Sequence, residues 1–171
     1  MGQRTQIVVR VKAVSSYSRK ESVHYASYHN QWGLAKVQMK DVIRMLTYYN
    51  ADYDNYELPK QLAKAWRLPQ DEWCTDLTPE GVCDYLNHQD NNDGGIFLDL
   101  VAEDQEIVEG KMYIYSDPEA SKHATDKVEG PISLSTYIRS NPHYYDKDFY
   151  KALIDICKYY NVEIVKGTVQ C

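Results

Sequence analysis

Gln3-Arg4-Thr5-Gln6-Ile7-Val8-Val9-Arg10-Val11-Lys12-Ala13-Val14 is the stretch from which the fold can be read. Ile7, Val9 and Val11 fall on one side of it, and Gln6, Arg10 and Lys12 on the other. A period of two is the spacing of a half-buried strand, apolar toward a core and basic toward the outside. The polar run from Ser15 to Glu21 then turns the chain into a second strand at about 21–29. The two are expected to pair as an antiparallel hairpin with a basic outer face.

The same pattern returns after the chain's strongest turn signal, Gln89-Asp90-Asn91-Asn92-Asp93-Gly94-Gly95. Ile96, Leu98 and Leu100 mark a strand at about 95–103, and Met112 and Ile114 one at about 106–115, with a turn near Asp104-Gln105. Val162-Glu163-Ile164-Val165 reads as a last strand. Between strands the period changes to that of a helix. Ala35, Met39, Val42, Leu46 and Tyr49 form an apolar stripe over 34–50. Pro59 suits the first turn of a short helix to about Leu68, and Thr78-Pro79-Glu80 starts another to about His88. A short helix is expected near 133–140, and a longer one at 146–160 with Phe149, Leu153, Ile156, Cys157 and Tyr160 inward. Residues 116–130 read as an exposed polar loop. The fold class is α+β, a mainly antiparallel sheet of about five strands with helices on one face, as one domain over 1–171.

Charge is laid out unevenly along the 171 residues. Residues 1–50 carry eight Lys/Arg against two Asp/Glu, residues 51–120 four against seventeen, and residues 121–171 seven against six. So acidic a middle segment either pairs with the basic first segment inside the fold or presents a negative surface to a positive partner. For the first alternative, outward Arg4, Arg10, Lys12, Arg19 and Lys20 would lie across the sheet from Asp99, Glu103 and Glu109. The isoelectric point near 5.3 argues against direct nucleic-acid binding. The sixteen Tyr, against two Phe and three Trp, indicate many half-buried aromatics, some of which can form a recognition face.

Motifs for catalysis or metals are few. Cys74, Cys83, Cys157 and Cys171 have no zinc-ligand spacing, and Cys157 falls on an apolar helix face as a core residue. Aligning Gly94 or Gly95 with the sixth place of a calcium loop puts Leu100 or Val101 where a bidentate Glu is required. No cofactor and no metal are expected. His24, Tyr25, Tyr28, His29, Asn30, Gln31 and Trp32 are the densest set of functional side chains, and His24, Tyr28 and His29 are the candidate pocket of the alternative reading, an enzyme or a binding protein for a small ligand such as a nucleotide. Strand alternation puts the two histidines on opposite faces, which counts against an acid–base pair. No stretch reaches the length of a membrane span, so a cytoplasmic protein is expected.

At Gln3-Arg4-Thr5-Gln6-Ile7 and Tyr28-His29-Asn30-Gln31-Trp32-Gly33 the chain resembles small uncharacterised proteins of phages and prophages of Gram-positive bacteria. The resemblance covers roughly the first quarter of the chain and carries no site residues over. It implies an anti-defence protein, anti-CRISPR proteins being the class, acting inside the bacterial host. The expected function is therefore non-enzymatic inhibition of a host defence protein such as a CRISPR effector nuclease, with room for a homo-oligomer. Asp52, Asp54, Glu57, Asp90, Asp93, Glu103, Asp104 and Glu106 are the expected contact residues, with Tyr53 and Tyr56 as anchors. Acidic side chains of this kind can occupy a partner's positively charged nucleic-acid groove.

Overall fold

The structure is a computed structural model that describes residues 4–30, 36–48, 74–76, 92–104, 106–116, 129–140 and 146–165. Its elements are β1 (Arg4–Val14), β2 (Glu21–Asn30), α1 (Lys36–Tyr48), β3 (Cys74–Asp76), β4 (Asn92–Glu103), β5 (Glu106–Ser116), β6 (Glu129–Ile132), α2 (Leu134–Ser140), α3 (Lys147–Tyr159) and β7 (Val162–Ile164). The helices expected at 59–68 and 78–88 lie outside the described residues, as do Trp32, Cys83 and Cys171.

The described strands form a seven-stranded sheet in the order β3-β2-β1-β4-β5-β6, with β7 also paired to β5. All five expected strands are present, and the helices pack on one face, so the fold is α+β. β1–β2, β2–β3, β4–β5 and β5–β6 are antiparallel. β1–β4 and β5–β7 are parallel, so the sheet is mixed. The parallel β1–β4 pair joins the two hairpins, Val9 opposite Leu98 and Arg10 opposite Asp99. Having only two edges, β5 gives one to β4 and shares the other between β6 at Ile114 and Ser116 and β7 at Gly110–Met112.

Two short strands add to the expected five. Residues 129–132, of which 129–130 fall in the expected polar loop, instead form β6, where Pro131 is tolerated because an edge strand leaves one side unpaired. Asn92-Asp93-Gly94, expected as loop, begins β4, where a register shift between Arg4 and Gln6 accommodates the irregular start.

Alternation sorts the strands as expected. Ile7, Val9 and Val11 of β1, Ile96, Leu98 and Leu100 of β4, and Met112 and Ile114 of β5 are all buried against the helices. α1 brings Met39, Val42, Met45 and Leu46 to this layer, α2 brings Tyr137, and α3 brings Tyr150, Leu153 and Cys157. Burying each such aliphatic side chain is worth about 1.5–3 kcal/mol. The Tyr137 hydroxyl donates to Gln38 Oε1 at 2.9 Å, which supplies a hydrogen-bond partner inside the α1–α2 contact. Cys157 is 2% exposed, and burial pushes its thiol up to about 12, the behaviour of a core residue rather than a nucleophile.

Local signals start the helices. Asp146 caps α3, its carboxylate accepting from the Phe149 N–H at 3.2 Å. Ser133 does the same for α2, accepting from the Thr136 N–H at 3.1 Å. The far face of the sheet is divided along its length. At one end Val8, Ser27, Phe97 and Tyr115 are buried, with Phe97 stacked on Tyr113 at 5.7 Å. Toward the other end the register aligns Tyr25, Arg10, Asp99, Lys111 and Glu163 in a polar row.

Candidate binding surface

The polar row is mostly satisfied within the protein. Arg10 Nη1 lies 2.5 Å from Asp99 Oδ1, the two side chains being about one-third exposed. Burial lowers the guanidinium pKa, but hydrogen bonds with Asp99 and Tyr25 outweigh it and hold the group above its ordinary value. Lys12 Nζ meets Glu21 Oε1 at 2.9 Å. Beside these pairs a shallow groove of about 330 Å³ runs between Arg10, Asp99, Glu109, Lys111 and Glu163, with both signs of charge on its walls.

The row ends at two adjacent turns. The β1–β2 turn is closed by the Ser15 N–H donating to the Lys20 carbonyl at 3.0 Å and the Arg19 N–H to the Ser15 carbonyl at 2.9 Å, with Arg19 at φ 56°. Tyr17 stands at its tip, 98% exposed. The β4–β5 turn places Asp104 at φ 51°, a left-handed position that Asp tolerates better than most residues. Asp104 fastens the two turns together. Its carboxylate accepts from the Ser16 N–H at 3.0 Å and the Ser16 hydroxyl at 2.5 Å, and its own N–H donates to the Val14 carbonyl at 2.9 Å. These Ser16 bonds, with Arg19 nearby, hold the carboxyl below its ordinary pKa.

Glu103 and Glu106 flank Asp104, directly opposite each other as the closing pair of the hairpin. Both are exposed, and neither has an ion-pair partner among the described residues. Like charges facing across a ladder destabilise it.

Glu106 also borders the second cavity, about 450 Å³, between the ends of two helices. Leu46 and Thr47 reach it from α1, Ile107 and Val108 from β5, and Tyr159, Tyr160 and Asn161 from the end of α3. Tyr159 is 78% exposed and stands edge-on to Tyr160, with ring centroids 4.9 Å apart and planes at 83°. Burial, then Tyr159 and Glu106, push the Tyr160 phenol up. Asn161, at φ 53°, ties this corner to β5: its side-chain amide donates to the Val108 carbonyl at 3.1 Å, and its carbonyl accepts from the Gly110 N–H at 3.2 Å.

The structure thus brings Glu103, Asp104 and Glu106 together in one acidic turn. Asp52, Tyr53, Asp54, Tyr56, Glu57 and Asp90 lie outside the described residues, and Asp93 is described only as backbone of β4. Of the pocket candidates, Tyr28 is 6% exposed within the core, and His24 Nε2 shares a 2.9 Å hydrogen bond with Ser22 Oγ. The His29 side chain lies outside the described residues. Neither His24 nor Tyr28 lines the two cavities above. Sequence reasoning missed Tyr159. Its place just outside the apolar stripe of α3 was the available signal, since a tyrosine there must face solvent or a partner. Among the described residues no helix is long and apolar enough to cross a membrane.

No family model, curated protein or solved structure matches the chain.

Proposed function

We propose that this protein acts by binding, as a non-enzymatic, phage-derived inhibitor of a host defence protein in the bacterial cytoplasm. The partner is a protein with a positively charged nucleic-acid groove, a CRISPR effector nuclease being the type. The observation that carries the reading is the acidic turn. Glu103 and Glu106 oppose each other in an exposed hairpin end, an arrangement that costs stability, and neither has an ion-pair partner among the described residues. Asp104 holds the turn in place through Ser16, so the two glutamates are presented on an ordered platform. A pre-organised surface loses less entropy on binding, and long-range complementarity speeds encounter with a basic groove.

The reading is tested by affinity capture from nuclease-treated lysate of a bacterium carrying several defence systems. The wild type and a Glu103→Lys/Glu106→Lys variant would be compared at two salt concentrations. One basic host protein is expected at low salt, reduced at high salt and absent with the variant. An eluate from the folded wild type that contains no such protein would overturn the reading.

A further inference from the structure

We infer that the cavity between the ends of α1 and α3 is the seat for an arginine side chain of the partner. The inference rests on the binding-protein reading for the source of the arginine, and on the cavity itself for its chemistry.

Four features of the cavity select a cation of this shape. Tyr159 and Tyr160 form two nearly perpendicular walls, and an aromatic face attracts a cation held within about 6 Å of it. Glu106 supplies a carboxylate at the rim, without an ion-pair partner among the described residues. α1 and α3 both bring their carboxyl ends to the site, through Leu46 and Thr47 and through Tyr159 and Tyr160, and a helix carboxyl end carries partial negative charge. The remaining walls, Leu46, Ile107 and Val108, are apolar and suit the methylene stem of a long cation. Lys158, in the last turn of α3, does not line the cavity.

Arginine fits better than lysine. A planar guanidinium stacks on one ring while its fork meets a carboxylate, and it gives up its hydration more readily than an ammonium. Proteins that hold nucleic acid carry such side chains along their grooves. The site adjoins the acidic turn through Glu106, so the turn attracts the groove and the tyrosine corner receives one of its arginines.

N-acetyl-arginine-N-methylamide is the probe, with the capped citrulline, its neutral isostere, as control. Each would be titrated into the isotope-labelled full chain while backbone amide shifts are followed. Capped arginine is expected to move the amides of Thr47, Glu106 to Val108 and Tyr159 to Asn161 along a saturating curve, and citrulline to leave them in place. Tyr159→Ala and Glu106→Gln, both at exposed positions, should each weaken the arginine by about three- to tenfold. Shifts that are absent, or equal for the two probes, would overturn the inference. The two readings separate when Tyr159→Ala is carried into the capture experiment. A partner held as well by Tyr159→Ala as by wild type overturns the arginine seat and leaves the inhibitor reading standing. Arginine binding with no partner in the lysate overturns the partner as the source and fails the inhibitor reading, while the cavity's preference for a guanidinium stands.

Discussion

In the β1–β2 hairpin, Arg10 bonds Asp99 and Lys12 bonds Glu21, so these two cations of its outward face are answered within the protein. In the β4–β5 hairpin, Asp104 is bonded to Ser16, while Glu103 and Glu106 face each other in the open. The segment charges of the two regions are opposite, yet summing them would misjudge both. The basic hairpin presents less charge than its composition implies, and the acidic one concentrates its surplus at one end. Free charge, rather than total charge, is what a partner encounters.

The most severe way to challenge this comparison is to test whether the hairpins are separate bodies at all. Leu98 is fully buried on β4, opposite Val9 of one hairpin and Met112 of the other. Leu98→Ala should cost about 2–5 kcal/mol in urea unfolding, with both hairpins losing amide protection together. Protection retained in β1–β2 alone would show that the two regions fold independently.

Next in size is Gly110→Ala, which probes the second hairpin only. A Cβ there would lie 2.5 Å from Leu100 Cδ2 and 2.8 Å from the Asp99 carbonyl oxygen. The side chain can turn aside, but the backbone oxygen has to move with its strand. Overpacking of this kind costs about 1–3 kcal/mol, measurable as a lower denaturation midpoint.

The charges themselves come third, and here the two hairpins should respond with opposite sign. Arg10→Met removes a pair whose members are about one-third exposed and screened by solvent, so the loss should be at most about 1 kcal/mol and shrink with salt. Glu106→Gln relieves the opposed glutamates and should stabilise the fold by about 0.2–1 kcal/mol while weakening partner binding. Finding that Glu106→Gln destabilises the fold would mean that the acidic turn serves the hairpin rather than a partner.

The smallest effect is that of pH on Asp104. Its folded pKa lies below the ordinary 3.8, so its contribution is complete above that value and fades as pH falls through the lower, folded one. Asp104→Asn should therefore lower stability at neutral pH, with the loss shrinking toward low pH, so that the acid limb of the stability curve flattens. A carboxyl carbon titration by NMR gives the Asp104 value directly, and an ordinary pKa there would remove the anchored platform.

Much of this architecture is legible because it is local. The period-two runs at Ile7–Val11 and Ile96–Leu100, and the helical stripes of α1 and α3, name their own buried faces. Short edge strands escape such reading. β3 and β6 have three and four residues, too few to establish a period, and their identity comes from what they lie beside. Among the candidate contacts, Glu103, Asp104 and Glu106 are adjacent in sequence and stay together in space. The tyrosine corner escapes because Glu106 opens β5 and Tyr159 closes α3, with β6 and α2 among the described elements between them.

The chain by itself determined the inward faces of the long strands and of the helical stripes, because alternation and helical spacing depend on residues two to four positions apart. It also determined that charge would be segregated along the chain. Only the tertiary structure decided that β1 and β4 run parallel, which Lys and Arg are neutralised, and that two helix ends and Glu106 enclose one cavity. Those outcomes depend on contacts between residues far apart in sequence, where long loops are closed by the burial of a shared core and no short pattern records the partner.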